Sequence, residues 1–387
     1  MEAAPDPPRN LPTRHKCPAC YKQFKRKNHL VEHMKISFHS VHQPKCAVCQ
    51  KHCKSFESLR VHLTGNICFH IHFDSFIDKS LILFFFLLDK GPLAKENCLT
   101  VFSEQGCNHC LKIFDNPDSH SNHKEACCLS APAPLGTTLP CAESEKKISG
   151  VVDLNNTARG PQAVAMDCEM VGGGSDETLD LCARVCLVDA DENVIFHAYV
   201  QPLIPVTNYR YEITGLTEEH LKDAVPLNEV RDKILEILYN GETISRLRLD
   251  GGKARLLVGH NIKHDLDSLR MNYPDHMQRD TANYRPLMKT NLVSHSLKYL
   301  TKTYLGYDIQ SGVHDPYEDS VSVMRLYKKF CRQDHHQLEE IGYQKISNGF
   351  DSYKSKELEK MSPSELYEIS RSNYRCWCLD LRQNVQP

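Results

Sequence analysis

The chain is 387 residues long, 41% hydrophobic and 25% charged, which is enough apolar material for two or three domains with cores of their own. Its formal charge of −2 conceals an asymmetry. The segment 9–63 has twelve Lys and Arg residues against two acidic ones, a net +10, so the remainder carries −12. A basic segment joined to an acidic body predicts binding to a polyanion.

The apolar and cysteine patterns disfavour a secreted or membrane-spanning protein. The opening residues lack the apolar stretch of a secretory signal, and the apolar run at 81–88 is short, whereas a bilayer core needs about 20 residues. Twelve of the eighteen cysteines lie at or before Cys141, several in Cys-x2-Cys pairs beside histidines. That arrangement favours zinc in a reducing compartment over disulfides, so we expect an intracellular protein without a membrane span.

The first Cys/His motif, at about 15–40, predicts a ββα zinc finger. Its spacing is Cys-x2-Cys-x12-His-x5-His, and Phe24 and Leu30 take the two core positions of such a finger. The predicted zinc ligands are Cys17, Cys20, His33 and His39.

Basic residues at the start of the predicted finger helix indicate nucleic-acid binding. Lys25, Arg26 and Lys27 would attract phosphates in a salt-dependent way. Arg26, His29 and Glu32 occupy helix positions −1, 3 and 6, which read bases in DNA-binding fingers, but the short linker that joins such fingers is absent. The wide histidine spacing resembles that of fingers that bind double-stranded RNA. RNA is favoured over DNA, while a solvated face or a nuclear import signal is the alternative for the basic run.

The middle finger, at about 44–70, begins with the same spacing. Leu59 is in place, but Cys53 occupies the Phe position. The predicted ligands are Cys46, Cys49 and His62. Three candidates compete for the fourth ligand: Cys68, His70 and Cys98.

Residues 66–90 interrupt this polar region with Phe, Leu and Ile, the residues of T-rich codons, and Gly65-Asn66 is compatible with a splice-donor sequence. Our hypothesis is that 66–90 is a retained intron or a splice variant; finding these codons in most mature messages would contradict it. If it is translated, we expect the apolar run to promote aggregation and the insertion to disable the middle finger.

A third finger, at about 105–128, has the spacing Cys-x2-Cys-x12-His-x3-Cys. Phe114 takes the Phe position, and His120 replaces the usual Leu, which puts the core packing in question. The predicted ligands are Cys107, Cys110, His123 and Cys127.

Longer elements follow a linker at 129–160 that is rich in Pro, Gly and Ser. Apolar runs predict strands at 162–170, 181–189, 194–201 and 255–260. Helical periodicity predicts helices at 226–240, 262–271, 295–305 and 315–331. Short gaps between the first three strands indicate antiparallel hairpins, and the order of elements indicates an α/β sandwich on a mixed sheet.

Acidic residues lie where strands and helices should be apolar. Asp167 and Glu169 are two positions apart in the first strand, so their side chains leave the same face of the sheet. Two unpartnered anions there would cost several kcal/mol, which predicts a divalent metal between them. Asp265 begins a helix after Gly259-His260, and Asp319 lies one turn into the last helix. Oxygen ligands of this kind select Mg²⁺ or Mn²⁺ over Zn²⁺.

The motifs MDCEMVGGG, VGHNIKHDL and HDPYEDSVSVMRLY resemble the three exonuclease motifs of the DEDDh superfamily. They are most similar to its branch of RNA exonuclease 4 and interferon-stimulated 20-kDa exonuclease, and YRYEITGLTEEHL and RDTANYRPL resemble segments between those motifs. The similarity spans roughly 162–330. It implies a ribonuclease H-like domain with a mixed five-stranded sheet and flanking helices.

The resemblance also implies the roles of five residues. Asp167, Glu169 and Asp319 would bind one metal, and Asp167 would share a second with Asp265, which helps through water. Two such ions clamp a scissile phosphate and stabilise the attacking and leaving oxygens. His314, with an ordinary pKa near 6.5, would accept a proton from the attacking water. In the related class with a catalytic Tyr, that residue would stand where this chain has Asp315.

Several neighbouring residues are given structural roles. Asp315, Pro316 and Glu318 have the pattern of a capping box that starts a helix. Gly172 to Gly174 predict a simple turn that gives substrate close approach, since the Lys of a phosphate loop is missing. Asp267 is expected to be solvated. The pair Asp280-Thr281 is left open between a structural role and support of the site.

These patterns favour a metal-dependent 3′→5′ exonuclease that hydrolyses RNA to nucleoside 5′-monophosphates, with single-stranded DNA as a further substrate and zinc fingers that bind nucleic acid. The alternative is a zinc-finger regulator whose nuclease fold is inert. Expected cofactors are two Mg²⁺ or Mn²⁺ ions in the active site and two or three structural Zn²⁺ ions. The family implies a nuclear location, including the nucleolus, with the cytoplasm as the alternative. The predicted domains are 1–14 (disordered, basic), 15–128 (zinc fingers), 129–160 (linker), 161–335 (exonuclease) and 336–387 (helical, flexible tail).

Overall fold

The computed structural model describes residues 14–65, 96–135, 162–332, 350 and 353–382, which divide into two compact units. The first unit contains the described residues up to 101 together with 350 and 353–375, and the second contains those from 102 to 332 together with 376–382. The segment 66–90, with its apolar run at 81–88, lies outside the described residues. None of the described helices has both the length and the apolar character needed to cross a membrane.

The described strands are β1 (His15–Lys16), β2 (Gln23–Phe24), β3 (Ala163–Gly173), β4 (Leu179–Val188), β5 (Val194–Gln201), β6 (Val206–Asn208), β7 (Val225–Pro226), β8 (Leu256–Gly259) and β9 (Gln278–Asp280). The described α-helices are α1 (Lys27–Ser37), α2 (Phe56–Thr64), α3 (Glu96–Gln105), α4 (Pro117–Cys127), α5 (Tyr211–Thr214), α6 (Glu218–Leu221), α7 (Leu227–Tyr239), α8 (Ile244–Leu249), α9 (Ile262–Ser268), α10 (Leu297–Leu300), α11 (Pro316–Cys331), α12 (Ser355–Leu358) and α13 (Pro363–Glu368). A π-helical turn, Thr301–Leu305, follows α10, and short 3-10 helices occur at Asp275–Met277, Arg285–Leu287 and Trp377–Arg382.

The first unit begins with the predicted ββα finger. Strands β1 and β2 pair antiparallel, and α1 buries Leu30, Val31 and Met34. In the middle finger the side chain of Ser55 caps α2 by accepting a hydrogen bond from the Ser58 backbone N–H.

The C-terminal tail is attached more firmly than the sequence indicated. Helices α12 and α13 place Leu358, Leu366 and Ile369 in one buried cluster with Leu30 and Val31 of the first finger. A single finger has little apolar surface of its own, so the added burial enlarges its core. The described residues 353–375 thus include the helices expected of a helical or flexible tail but are packed against the first finger, which three apolar side chains on and beside two short helices did not reveal in the sequence.

The second unit is built on the predicted mixed α/β sheet. The strand order is β7-β5-β4-β3-β8-β9, and β6 pairs with β3. Strands β3, β4 and β5 form the antiparallel meander, and β8 runs parallel to β3 and to β9. The sheet has seven strands where five were expected. The additional strands β6 and β7 have three and two residues, too few to show alternation in a sequence.

Helix α11 packs across β3, β4 and β8 and supplies much of the core of the second unit. Val321, Val323 and Met324 are fully buried, and Ser320 and Ser322 are buried beside them. Ser320 satisfies its hydroxyl by donating to the Cys186 carbonyl at 3.2 Å. This helix therefore meets the sheet at its centre, next to the strand that carries the first acidic pair.

The third finger packs against the sheet domain within the second unit. The Leu129 backbone N–H donates to the Leu305 carbonyl at 2.9 Å, and the Lys329 ammonium donates to Cys127 Sγ at 3.3 Å. Arg325 donates to the carbonyl of Ser130 at 2.7 Å. The start of the predicted linker is thus bound to the domain, and the third finger belongs with it, not with the other two fingers.

Residues 376–382 also complete the second unit. Trp377 stacks on Tyr284 with ring centroids 3.8 Å apart, and Asp380 accepts two hydrogen bonds from the Arg279 guanidinium at 2.6 Å. The side chains of Arg279 and Asp380 are 3% and 1% exposed. The second unit therefore extends past the predicted domain end at 335, because a buried pair of charges joins β9 to residues about a hundred positions later.

We predict that Asp380→Ala lowers the free energy of unfolding of the full chain by about 3–5 kcal/mol, because it leaves the Arg279 charge buried without its carboxylate. Thermal and urea unfolding of the full chain would measure the change. Asp308→Ala is the matched control, since Asp308 pairs with Lys302 at the surface and an exposed pair contributes about 0–1 kcal/mol. Equal effects of the two substitutions would contradict the prediction.

Candidate active site

The central strand of the sheet carries the first two acids. Asp167 and Glu169 lie on β3 between β4 and β8, and the register of β3 against β4 shifts directly after Glu169. Glu169 is 5% exposed and faces Arg184 across the strand pair, while Asp167 is half-buried. A central strand has partners on both edges, so the positions of these two side chains are fixed by the sheet.

The third acid, Asp265, is placed by the loop between β8 and α9. Asn261 has a left-handed backbone (φ 64°) that turns the chain from the strand into the helix. Its backbone N–H donates to Asp280 Oδ1 at 2.8 Å, and the Thr281 hydroxyl lies 2.9 Å from His260 Nδ1. The pair left open in the sequence therefore supports the site by holding the loop that leads into Asp265.

Asp319 lies in the first turn of α11 and is 3% exposed. The predicted start of this helix is confirmed: Asp315 Oδ1 accepts hydrogen bonds from the backbone N–H groups of Tyr317 and Glu318, and Pro316 is the first helical residue. Glu318 does not bond back to the cap in the predicted way, because its carboxylate accepts from the Gln310 backbone N–H at 3.3 Å. Asp315 also forms a buried ion pair with Arg184 at 3.0 Å.

His314 precedes Asp315, the cap residue of this helix, and is half-buried. Its backbone N–H donates to the Ile213 carbonyl at 2.7 Å, which ties the segment to α5. One ligand atom each of His314, Glu169 and Asp319 lies within 4.8 Å of the others. The structure thus brings together three of the five predicted residues in one tight group, and Asp167 and Asp265 lie near enough for their charges to act on it.

Burial and mutual repulsion shift the carboxyl groups in one direction. Burial, followed by the charges of Asp319, Asp265 and Glu169, raises the pKa of Asp167 well above its usual range. Burial and the Asp319 charge raise the pKa of Glu169 to about 8, although Arg184 opposes the shift. The pKa of Asp265 is raised well above its usual range by burial and by nearby acids. The site therefore has too little positive charge for its four acids.

Two buried oxygens support a fit to a metal. Asp265 Oδ2 and Asp319 Oδ1 have no hydrogen-bond partner among the described residues. Buried polar atoms are almost always paired, so such oxygens indicate that a ligand supplies what the protein does not. Carboxylate oxygens at this density suit a hard divalent cation. The side chains of this site therefore fit the ion that their sequence pattern predicts.

Sequence reasoning missed Gln310, which touches the site. Its side-chain Nε2 donates to Asp319 Oδ2 at 2.6 Å, and its backbone carbonyl accepts from the Lys298 ammonium at 2.8 Å. Gln310 has a left-handed backbone (φ 54°) in an irregular stretch ahead of α11, so no periodicity marks it. It fixes one oxygen of Asp319 and leaves the other unpaired.

The glycines after the acidic pair serve packing inside the domain. A Cβ on Gly172 would lie 3.0 Å from the Glu177 carbonyl, and one on Gly173 would lie 2.5 Å from Leu181. Only Gly174 has a left-handed backbone among the three (φ 84°). These glycines therefore allow neighbouring strands and the turn to pack closely against β3.

Asp267 is exposed, as expected, and pairs with Lys263.

The predicted zinc ligands also lie together. In the first and third fingers, the four ligand atoms of each predicted set lie within 4.8 Å of one another, and Cys46, Cys49 and His62 share a group of the same kind. These donor sets are compatible with zinc. In the third finger, His120 stacks on Phe114 at 5.6 Å, so the unusual residue packs in place of Leu. On α1 and before it, Lys25, Arg26 and His29 are exposed, and Lys27 is half-buried.

Comparison with known proteins places this site in a family. Residues 164–327 match the model of the RNase_T exonuclease family. Residues 164–327 are thus an exonuclease domain of the RNase_T, DEDDh type. Its relatives include proteins named RNA exonuclease 4: that of Candida glabrata is 36% identical over 173 residues, covering 44% of this chain and 60% of the relative. The human protein is 34% identical over 168 residues, covering 43% and 36%.

The chain spans between 36% and 60% of the length of these two relatives. Among solved structures, the catalytic unit of Neurospora crassa Pan2 is similar with a TM-score of 0.38 and 19% identity, covering 53% of this chain and 31% of that one. A likeness of that size places no residue of the site.

We predict that Gln310→Ala weakens Mn²⁺ binding by roughly 10–100-fold, because the loss of a hydrogen bond to a ligating carboxylate frees its orientation. Calorimetric or electron paramagnetic resonance titration of the zinc-loaded full chain would measure the affinity. Gln162→Ala is the control, since Gln162, just before β3, is exposed and accepts a hydrogen bond from Arg255 away from the site. Unchanged Mn²⁺ affinity in Gln310→Ala would contradict the positioning role.

Proposed function

We propose that the second unit hydrolyses RNA from its 3′ end and releases nucleoside 5′-monophosphates, with single-stranded DNA as a further substrate. The observation that carries the proposal is the pair of buried, unpartnered oxygens on Asp265 and Asp319 beside Glu169 and His314. A domain that only binds nucleic acid has no need of an uncompensated acidic cluster. The names of the relatives favour RNA as the substrate.

Asp167, Glu169, Asp265 and Asp319 would hold two Mg²⁺ or Mn²⁺ ions. When bound, such a pair of ions clamps the scissile phosphate and activates the attacking water. The protein contributes the placement: β3 fixes two acids, and the starts of α9 and α11 fix one each. Gln310 orients Asp319 from the side.

His314 would accept the proton of the attacking water. Burial, with a contribution from the Lys298 charge, lowers the pKa of His314. A lowered pKa keeps the imidazole neutral at pH 7, which is the form that can take up a proton. The Lys298 ammonium donates to the backbone carbonyl of Gln310. Gln310 therefore positions both Asp319 and the cation that, together with burial, lowers the pKa of His314.

We expect Asp167→Asn to abolish RNA hydrolysis, because it removes a negative charge from the acidic group. The same variant should have a higher unfolding temperature in magnesium-free buffer, because it relieves repulsion among the carboxylates.

His314→Ala should leave Mn²⁺ binding largely intact and slow hydrolysis by roughly 10²–10⁴-fold. The assay is the full chain with 5′-labelled RNA and Mg²⁺, with products resolved by length. Hydrolysis retained by purified Asp167→Asn would remove the proposed activity.

The first finger would bind the RNA through Lys25, Arg26, Lys27 and His29, and three zinc ions at most would stabilise the fingers. With a basic finger and a nuclease domain in one chain, we propose a nuclear site of action, including the nucleolus. Fluorescence microscopy of the tagged full chain tests the location, and a purely cytoplasmic signal would contradict it.

We expect the double change Lys25→Ala with Arg26→Ala to weaken RNA binding at every sequence and to reduce the slope of log affinity against log salt by about 1–2, since each lost phosphate contact removes about 0.7–0.9. Filter binding with the Asp167→Asn chain avoids degradation of the probe. Arg231→Ala with Lys233→Ala, at two surface residues of α7, is the matched control. If both double variants bind alike, the finger is not the RNA contact.

A further inference from the structure

The middle finger has a complete set of donors in the structure. Cys46, Cys49 and His62 form one group with Cys98, and the ligand atoms of all four lie within 4.8 Å of one another. Cys98 is the third residue of α3, thirty-six positions after His62 in the chain. Cys53, which replaces the usual Phe, is buried but does not belong to the group.

The spacing of Cys49 and His62 matches that of two donors on one tetrahedral ion. Cys49 Sγ lies 3.4 Å from His62 Nε2. With Zn–S near 2.3 Å and Zn–N near 2.0 Å, neighbouring donors on one zinc lie roughly 3.5 Å apart. The matching pairs in the first and third fingers are 3.2 and 3.1 Å apart. Cys46 and Cys98 are each 0% exposed, so the ion would be shielded on both sides.

We propose that Cys98 is the fourth ligand of a zinc site whose third and fourth ligands stand on either side of the segment 66–95. The site is independent of the nuclease chemistry, and its ligands are Cys46, Cys49, His62 and Cys98.

This assignment corrects the expectation that the insertion at 66–90 disables the middle finger. The donors meet in a chain that contains the insertion, because the fourth donor comes after it. They can also meet without it. A Cβ on Gly65 would lie 3.2 Å from Leu99, so the two ends of the interrupted stretch are close in space. Deleting 66–90 would leave residues 91–95 to join Gly65 to Glu96, a connection that reaches roughly 16–20 Å when extended.

Zinc content tests the assignment. The full chain and single variants are purified in zinc, freed of loose metal, and assayed for zinc per chain by mass spectrometry. We expect Cys98→Ser to lose one equivalent, and Cys68→Ser, a change of the competing cysteine, to lose none. The proposal is overturned if Cys98→Ser keeps its zinc or if Cys68→Ser loses one equivalent.

Two further variants keep the test valid if Cys98→Ser fails to fold. Cys98→His replaces one zinc ligand by another, so we expect full zinc content but, after exchange for Co²⁺, thiolate-to-cobalt absorption reduced by one sulfur. Unchanged absorption would overturn the role of Cys98. The chain lacking 66–90 should bind as much zinc as the full chain and lose one equivalent on Cys98→Ser; loss of an equivalent on deletion alone would overturn the claim that both forms build the site.

Discussion

Repulsion among four clustered carboxylates, three of them buried, is the constraint around which the second unit is organised. Left to themselves, these groups would separate or take up protons, and the raised pKa of each one shows how strongly the site resists their charge. The fold holds them by placing two on a central strand and one at the start of each of two helices. The apolar contacts of α11 with β3 and β4 supply the opposing stability.

Arg184 lies next to the acidic group, but its guanidinium forms its hydrogen bonds with other residues. Arg184 faces Glu169 across the sheet, yet its guanidinium donates to Asp315, the residue that caps α11, and to His197. The same arginine thus fixes the helix that delivers Asp319 and only partly compensates the acidic group. A fully compensated group would have no affinity for a divalent cation, so this division is what a metal site requires.

Local patterns were sufficient for the residues whose spacing reflects one strand or one helix. Asp167 and Glu169 follow from the two-residue period of β3, and the cap at Asp315 follows from its neighbours in sequence. Gln310, Arg184 and the donors that hold Asn261 depend on which segments meet in space, and Gln310 lies where the backbone has no regular period. The fourth donor of the middle finger remained open for the same reason, because thirty-five residues separate it from the third. The packing of the tail did not show in the sequence, since its contacts lie with the first finger, over three hundred positions away.

The ion pair between Arg279 and Asp380 constrains the order in which the second unit can fold during translation. A ribosome adds about 5–20 residues per second, so the guanidinium must wait roughly 5–20 s for the carboxylate that arrives 101 positions later. Until then β9, and with it the loop that leads to Asp265, has an exposed cation where the finished core has a neutral pair. A nascent chain that has passed Arg279 but not yet reached Asp380 therefore carries its acidic centre on a sheet whose last strand lacks its buried partner.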